Sequence, residues 1–414
     1  MNDAHIIEAA AQAKAGLARR TAVDRTRLLQ AVVAQLKLDK ADILAVNAQD
    51  VQEAAQGTLR DADIDRMTLT PARYDDMLRS VEQIAGLEDI IGTRYDKQYQ
   101  ASGITTSKMR VPIGIILMIY ESRPNVTIDA AALAIRTGNV IILKGGKEVA
   151  ATNKALHESL VKAMQTCDFP PASVIAITDQ AREMTTALLK HDETIDLVIP
   201  RGSRKLLEFV QANTVIPALL HLEGNCHVYI DAKADQDMAL KLAVDAKTQR
   251  FGTCNTAESI LVHQAIAPAI IPELCAKLSG RDVEIRGDQQ VCELFKAAKP
   301  ATEADWSNEY LAPIVSIKVV DDLDEAIRHI NTYGSGHTDA IVTEDQASAE
   351  RFLAEVDSSS VMHNTSTRLA DGFEYGLGAE IGISTGKLHA RGPVGQEGLT
   401  TYKWIVESDG VTRG

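Results

Sequence analysis

Residues 113–144 read IGIILMIYESRPNVTIDAAALAIRTGNVIILK. Two apolar runs, 113–120 and 139–143, stand on either side of a helical segment, and each is too continuous for a strand with one wet face. Such strands are covered on both sides, and in a strand-helix-strand order they form a parallel sheet. The same rhythm continues outward at 173–177 (SVIAI), 195–199 (IDLVI) and 227–230 (HVYI). A second set follows at 259–262 (SILV), 314–320 (IVSIKVV) and 340–342 (AIV), again with helices between. The pattern predicts an α/β protein of two successive units with parallel sheets and a cleft between them. Upstream, residues 1–90 carry helical patterning. Leu28, Leu29, Val32, Val33 and Leu36 recur at helical spacing, and Thr70-Pro71 supplies an N-cap followed by proline at the first helical position. Segments 101–111 and 399–406 alternate polar and apolar residues outside this rhythm. They would pair with each other as a small outlying sheet of the kind that builds a subunit contact.

The 414 residues suffice for two or three domains, and 45 % apolar with 24 % charged residues is the profile of a folded globular chain rather than a disordered one. With 43 basic and 57 acidic residues the net charge is −14, which argues against nucleic-acid and membrane-surface roles. No apolar stretch approaches the ~20 residues that span a bilayer. The N-terminal MNDAHIIEAAAQAKAGLARR lacks an apolar core and reads as an amphipathic helix, not a signal peptide. Five cysteines (Cys167, Cys226, Cys254, Cys275, Cys292) without a CxxC pair fit reduced thiols in the cytoplasm. Gly145-Gly146-Lys147 is followed by Glu148, so there is no Walker A loop. Gly376-Leu377-Gly378-Ala379-Glu380-Ile381-Gly382 is one residue too long for GxGxxG, and zinc spacings are missing, so no metal is expected.

Cys254 lies in KTQRFGTCNTAESILV, where Gly252 permits close approach of backbone and Asn255-Thr256 favours a turn. Lys247 and Arg250 upstream would lower a thiol pKa, which suits a nucleophile; a small buried cysteine is the competing reading. Asn125 follows the 113–120 strand, with Pro124 holding Arg123 extended; it stands at the strand's end either as a polar donor or as a helix cap. Lys144 ends the 139–143 strand, and with Lys147 it suits a phosphorylated ribose, or else a solvated face. Arg201-Gly202-Ser203 joins a strand to a helix whose N-terminus favours anions.

In this order the pieces resemble the aldehyde dehydrogenase superfamily and, within it, the γ-glutamyl phosphate reductase (glutamate-5-semialdehyde dehydrogenase) family. The likeness is carried by YESRPNVT (120–127), KTQRFGTCNT (247–256), VDDLDEAIRHINTYGSGHTDAI (320–341) and HARGPVGQEGLTTYKW (389–404), and extends over essentially the whole chain. It implies an aldehyde dehydrogenase-like fold with an NADP-binding domain (1–95 and 112–226), a catalytic domain (227–396) and an oligomerisation element (96–111 and 397–414). By the same resemblance Cys254 is the nucleophile and Asn125 the oxyanion donor. Lys144, Lys147, Arg201, Gly202, Ser203 and Glu309 would hold NADP(H), and Arg123, Arg250, His337, Thr338 and Arg391 the substrate. The implied reaction is NADPH-dependent reduction of L-glutamyl 5-phosphate to glutamate 5-semialdehyde through a Cys thioester, in proline biosynthesis, by a homo-oligomer. The length leaves no room for a fused kinase, so a separate glutamate 5-kinase would supply the substrate.

Three positions depart from the family pattern: Phe251-Gly252, Gln396 and Glu223. Glu223 falls where hydrolytic aldehyde dehydrogenases keep a general base, which makes an oxidising, hydrolytic enzyme the nearest rival; the reductase reading takes Glu223 as a bystander. A catalytically silent scaffold on the same fold is the rival from another class, against which Cys254 and Asn125 both speak.

Overall fold

The computed structural model describes residues 2–220 and 223–413. The chain forms two compact units. The first holds the residues up to Leu220, Gly376–Gly382 and the chain from Val394 onward; the second runs to Tyr375 and includes Ile383–Pro393. The division thus falls a few residues ahead of the 226/227 boundary that the resemblance implies, and the outlying sheet belongs to the first unit.

The first unit opens with four helices, α1 (Asp3–Leu17), α2 (Ala22–Ala55), α3 (Asp61–Met67) and α4 (Pro71–Gly86). Leu28, Leu29, Val32, Val33 and Leu36 form the buried stripe of α2, and Thr70 caps α4 by accepting from the Arg73 N–H. Strands β1 (Arg94–Tyr99) and β2 (Thr105–Pro112) follow, then β3 (Ile115–Tyr120), α5 (Pro124–Arg136), β4 (Val140–Lys144), α6 (Ala150–Thr166), β5 (Val174–Ala176), α7 (Arg182–Leu188), β6 (Leu197–Arg201) and α8 (Arg204–Asn213). β3 to β6 make a parallel sheet in the order β5-β4-β3-β6. Every residue of β3 and β4 is buried, as strands with helices on both faces require.

The second unit alternates strand and helix except where β11 follows β10 directly: β7 (Cys226–Ile230), α9 (Gln236–Thr248), β8 (Ala257–His263), α10 (Ala267–Ser279), β9 (Glu284–Gly287), α11 (Gln289–Leu294), β10 (Lys299–Pro300), β11 (Ile314–Val320), α12 (Leu323–Tyr333), β12 (Thr338–Val342), α13 (Gln346–Glu355) and β13 (Ser360–His363). Its sheet is parallel with order β10-β9-β11-β8-β7-β12-β13. Val228, Ile260, Ile317 and Ala340 meet the helices in its core. No helix among the described residues is long and apolar enough to cross a membrane.

The outlying segments do pair. The C-terminal strand Thr400–Glu407 runs antiparallel to β2 from Thr400↔Pro112 to Glu407↔Thr105, and β1 adds a third strand that its wholly polar RYDKQY sequence did not announce. This sheet is joined to the parallel one through Asn139. Its side chain accepts from the Gly114 N–H at 2.8 Å and donates to the Leu399 carbonyl at 2.8 Å, fully buried. Asn139→Ala leaves both backbone groups without a partner, and the expected loss is about 2–3 kcal/mol, read as a lower urea midpoint for the first unit.

Candidate active site

Cys254 sits in the turn that connects α9 to β8, partly exposed. The turn is closed by the Thr256 N–H on the Thr253 carbonyl at 3.0 Å and by Thr256 Oγ1 on the Arg250 carbonyl at 2.6 Å. The next residue is pinned from a distant segment: Asn255 Nδ2 donates to the carbonyls of Arg368 (3.3 Å) and Ala370 (3.0 Å), and Thr367 Oγ1 donates to the Asn255 carbonyl at 2.7 Å. Beneath the thiol, the Cys254 carbonyl accepts from Cys226 Sγ at 3.1 Å. Gly224 is pressed against the same peptide. A Cβ there would overlap the Cys254 carbonyl oxygen and stand 2.6 Å from its Cα, so only glycine fits.

Glu309, expected at a cofactor ribose, accepts from the Gly224 N–H at 2.9 Å; burial pushes its carboxyl up, and the Glu223 charge pushes the same way. Lys247 is not a neighbour free to tune the thiol. It is fully buried and bonded to Glu258 at 2.5 Å, with burial pulling the ammonium down. A cation that does act on the thiol is Arg368, a residue that no sequence motif singled out, and the exposed Arg250 acts in turn on Arg368. Arg368 Nε donates to Gln249 Oε1 at 2.9 Å. Burial pushes its guanidinium down, as does the charge of Arg250, while the Cys254 thiolate acts in the opposite sense.

In the first unit, Asn125 is the second residue of α5, inside the helix rather than capping it, since Arg123 holds the N-cap position. Its exposed amide donates to Asp129 Oδ2, one turn on, at 3.0 Å. Burial raises the Asp129 carboxyl to about 6, against the lowering effect of Asn125, Ser80 and the Arg201 charge. Lys144 ends β4 nearly buried, donates to Gln180 Oε1 at 2.8 Å, and has its ammonium pulled down by burial; Lys147 is exposed just beyond. These strand ends open onto a cavity of about 240 Å³ lined by Tyr120, Gly145, Lys154, Ile177 and Gln180. A cavity at the carboxyl edge of a parallel sheet, with Lys154 in its lining, fits a nucleotide. The Gly202-Ser203 turn already holds an anion of the protein's own. The Ser203 N–H and hydroxyl both donate to the Glu121 carboxylate, at 2.8 and 2.5 Å, and Gly202 makes room for it.

The remaining expected substrate contacts are placed differently. His337 and Thr338 are fully buried at the start of β12, between β7 and β13. There the His337 ring lies 3.6 Å from Cys226 Sγ and 2.8 Å from Thr338 Oγ1, so the pair supports the floor of the thiol turn instead of facing solvent. Arg391 is exposed and held by Asp357 at 2.8 Å. Arg123 is half-buried at the head of α5. Among the described residues no cluster of His, Cys, Asp and Glu could hold a metal ion.

Asp129 gives a test of this geometry that needs no substrate. Burial holds its carboxyl up at about 6 in the folded chain, above the 3.8 of an ordinary aspartate. The stability it contributes is therefore complete below the lower value and is lost as pH rises through the upper. Asp129→Asn, which cannot ionise, should gain on the wild type between about pH 4 and about pH 6, read as a gap in urea midpoints that widens over that interval and stays level above it.

The matched family model is the aldehyde dehydrogenase family, over residues 2–291 and 295–379. Among solved structures, γ-glutamyl phosphate reductase from Thermotoga maritima is 38 % identical, with 100 % of each chain covered and a TM-score of 0.97. The γ-glutamyl phosphate reductase from Saccharomyces cerevisiae is 30 % identical over 100 % of this chain and 99 % of that one, with a TM-score of 0.57. An acetylating aldehyde dehydrogenase from Geobacillus thermoglucosidasius shares the fold at 16 % identity, 100 % and 97 % coverage and a TM-score of 0.69. The chain belongs to the aldehyde dehydrogenase family.

Proposed function

We propose that this chain catalyses NADPH-dependent reduction of L-glutamyl 5-phosphate to L-glutamate 5-semialdehyde and phosphate, a cytoplasmic step of proline biosynthesis fed by a separate glutamate 5-kinase. The observation that carries the reading is the 38 % identity to a γ-glutamyl phosphate reductase over the full length of both chains. The partly exposed thiol on a backbone-fixed turn, with the Arg368 charge acting on it, supports it.

The Cys254 thiolate attacks the acyl carbon; a C–S bond forms, the C–O bond to phosphorus breaks, and phosphate leaves with the electron pair. The Asn125 amide and the Cys254 backbone N–H donate to the oxygen that becomes negative in this step. Lys144 at the end of β4 and Lys147 just beyond it would hold NADPH, with the Gly202-Ser203 turn taking a phosphate once Glu121 leaves it, and Glu309 reaching a ribose. NADPH, when bound, supplies a hydride to the thioester carbon. Breaking the C–S bond then returns the Cys254 thiolate and frees the aldehyde. Because phosphate and not water is exchanged at the acyl carbon, Glu223 has no deacylating task.

The exposed aromatic face of the outlying sheet extends the reading to assembly. Tyr402 and Trp404 are about half exposed, and the Lys108 ammonium lies 5.0 and 5.2 Å from their ring centres. Aromatic groups displayed on a small sheet suit a contact with a second copy of the chain. Light scattering should find an oligomer, and Tyr402→Ser with Trp404→Ser should yield a folded monomer.

The reaction is tested in reverse: NADP⁺ reduction by glutamate 5-semialdehyde should require inorganic phosphate. Reduction that proceeds equally without phosphate would instead mark a hydrolytic aldehyde oxidation. Cys254→Ala should abolish the rate, and Asn125→Ala should lower kcat by ~10²–10³ with little change in KM.

A further inference from the structure

We propose that Arg250 and Arg368 form a paired-guanidinium anion site beside Cys254 that takes the phosphate group of an acyl phosphate as it departs. The chemical identity of the ligand rests on the reaction proposed above; the site itself rests on geometry.

Arg368 is held at two points. Its carbonyl accepts from Asn255, the residue after the thiol, and its Nε donates to Gln249, the residue before Arg250. The guanidinium is thereby tied by its Nε to the residue preceding Arg250, within reach of the Arg250 charge, and its two terminal nitrogens are not used in that bond. Arg286, Arg351 and Arg391 in the same unit each hold a carboxylate. Among the described residues no carboxylate stands within ion-pair distance of Arg250 or Arg368; Asp245 and Asp371 act on Arg368 only from farther away. Two like charges thus lie together, one of them half-buried, without a local counter-ion. That arrangement is unfavourable on its own and is relieved by an anion that bridges both.

The planar fork of arginine matches phosphate oxygens in pairs, and two forks match a group that carries two charges once it has left. Attack at the acyl carbon moves an electron pair onto the bridging oxygen as the C–O bond breaks. Cations at that place stabilise the departing group more than the bound ester, which is what accelerates the step. The same cations favour the thiolate over the thiol. The amino acid's own carboxylate is the other anion that such a pair could take, and the test separates the two.

The experiment alkylates Cys254 in the full-length protein with iodoacetamide and follows the Cys254 peptide by mass spectrometry, in the presence of inorganic phosphate or of L-glutamate. Phosphate should slow alkylation saturably. Arg368→Gln should raise the half-protecting phosphate concentration by roughly tenfold to a hundredfold, the loss of one charge-assisted contact. Arg368→Lys should recover part of it, and Arg250→Gln, at an exposed position, should repeat the effect should Arg368→Gln fold poorly. NADP⁺ affinity should stay at the wild-type value in each variant. Protection by L-glutamate but not by phosphate, or equal phosphate protection in wild type, Arg368→Gln and Arg250→Gln, would overturn the proposal. Because protection needs no turnover, a protein that lacks the reductase reaction yet loses phosphate protection in these variants keeps the site while losing the reaction.

Discussion

The peptide group of Cys254 has the backbone of Gly224 against its face and the Cys226 thiol on its carbonyl oxygen, so the main chain that carries the thiol has no room to move. Much of the second unit is arranged around that contact. Asn225 anchors the pressing loop by donating to the Trp306 and Tyr333 carbonyls, each at 2.9 Å, and Glu309 accepts from Gly224. His337 packs against Cys226 from β12. On the other side, Asn255 is tied to the segment that carries Arg368. A thiol on such a turn keeps its direction of attack without spending conformational entropy at the moment of reaction.

On the proposed reading, a chain of net charge −14 that handles polyanions must separate its fields in space. It does so by pairing. Arg286, Arg351 and Arg391 are taken up by acids of their own, and Lys247 is buried with Glu258. Arg250 and Arg368 are left as a local positive spot on an acidic protein. The Glu121 carboxylate on the Ser203 turn shows the complementary device, an internal anion occupying a helix start that a ligand would otherwise enter.

The fold was legible wherever burial leaves a period in the sequence. Runs such as 113–120 and 314–320 are apolar because both faces are covered, and the alternation at 101–111 and 399–406 foretold the ladder that joins them. β1 left no such trace, because all six of its residues are exposed. Of the site, Cys254 and Asn125 stood out by their local turns. Arg368 did not, since its position is set by hydrogen bonds to residues far away in sequence and its own surroundings, STRLAD, carry no pattern. His337 misled for the opposite reason: a histidine in a distinctive motif drew attention as a ligand group. Its place on a strand with neighbours on both sides fixes it in the interior instead.

Asn125 and Asp129 show why an acidic residue belongs beside a donor for negative charge. An amide can turn end for end at little intrinsic cost, and the wrong orientation would present an oxygen to a developing oxyanion. An ionised carboxylate only accepts, so Asp129 admits the Asn125 nitrogen and repels its oxygen. The spacing of one helical turn places the two groups on the same face of α5, and the Pro124 start of the helix fixes where that face begins. Burial, which raises the Asp129 carboxyl, works against this arrangement, while the Asn125 and Ser80 hydrogen bonds and the nearby Arg201 charge work for it. On the proposed reading Arg201 therefore has a second part to play: as a nearby positive charge it helps keep Asp129 ionised, and through Asp129 it keeps the oxyanion donor turned the right way.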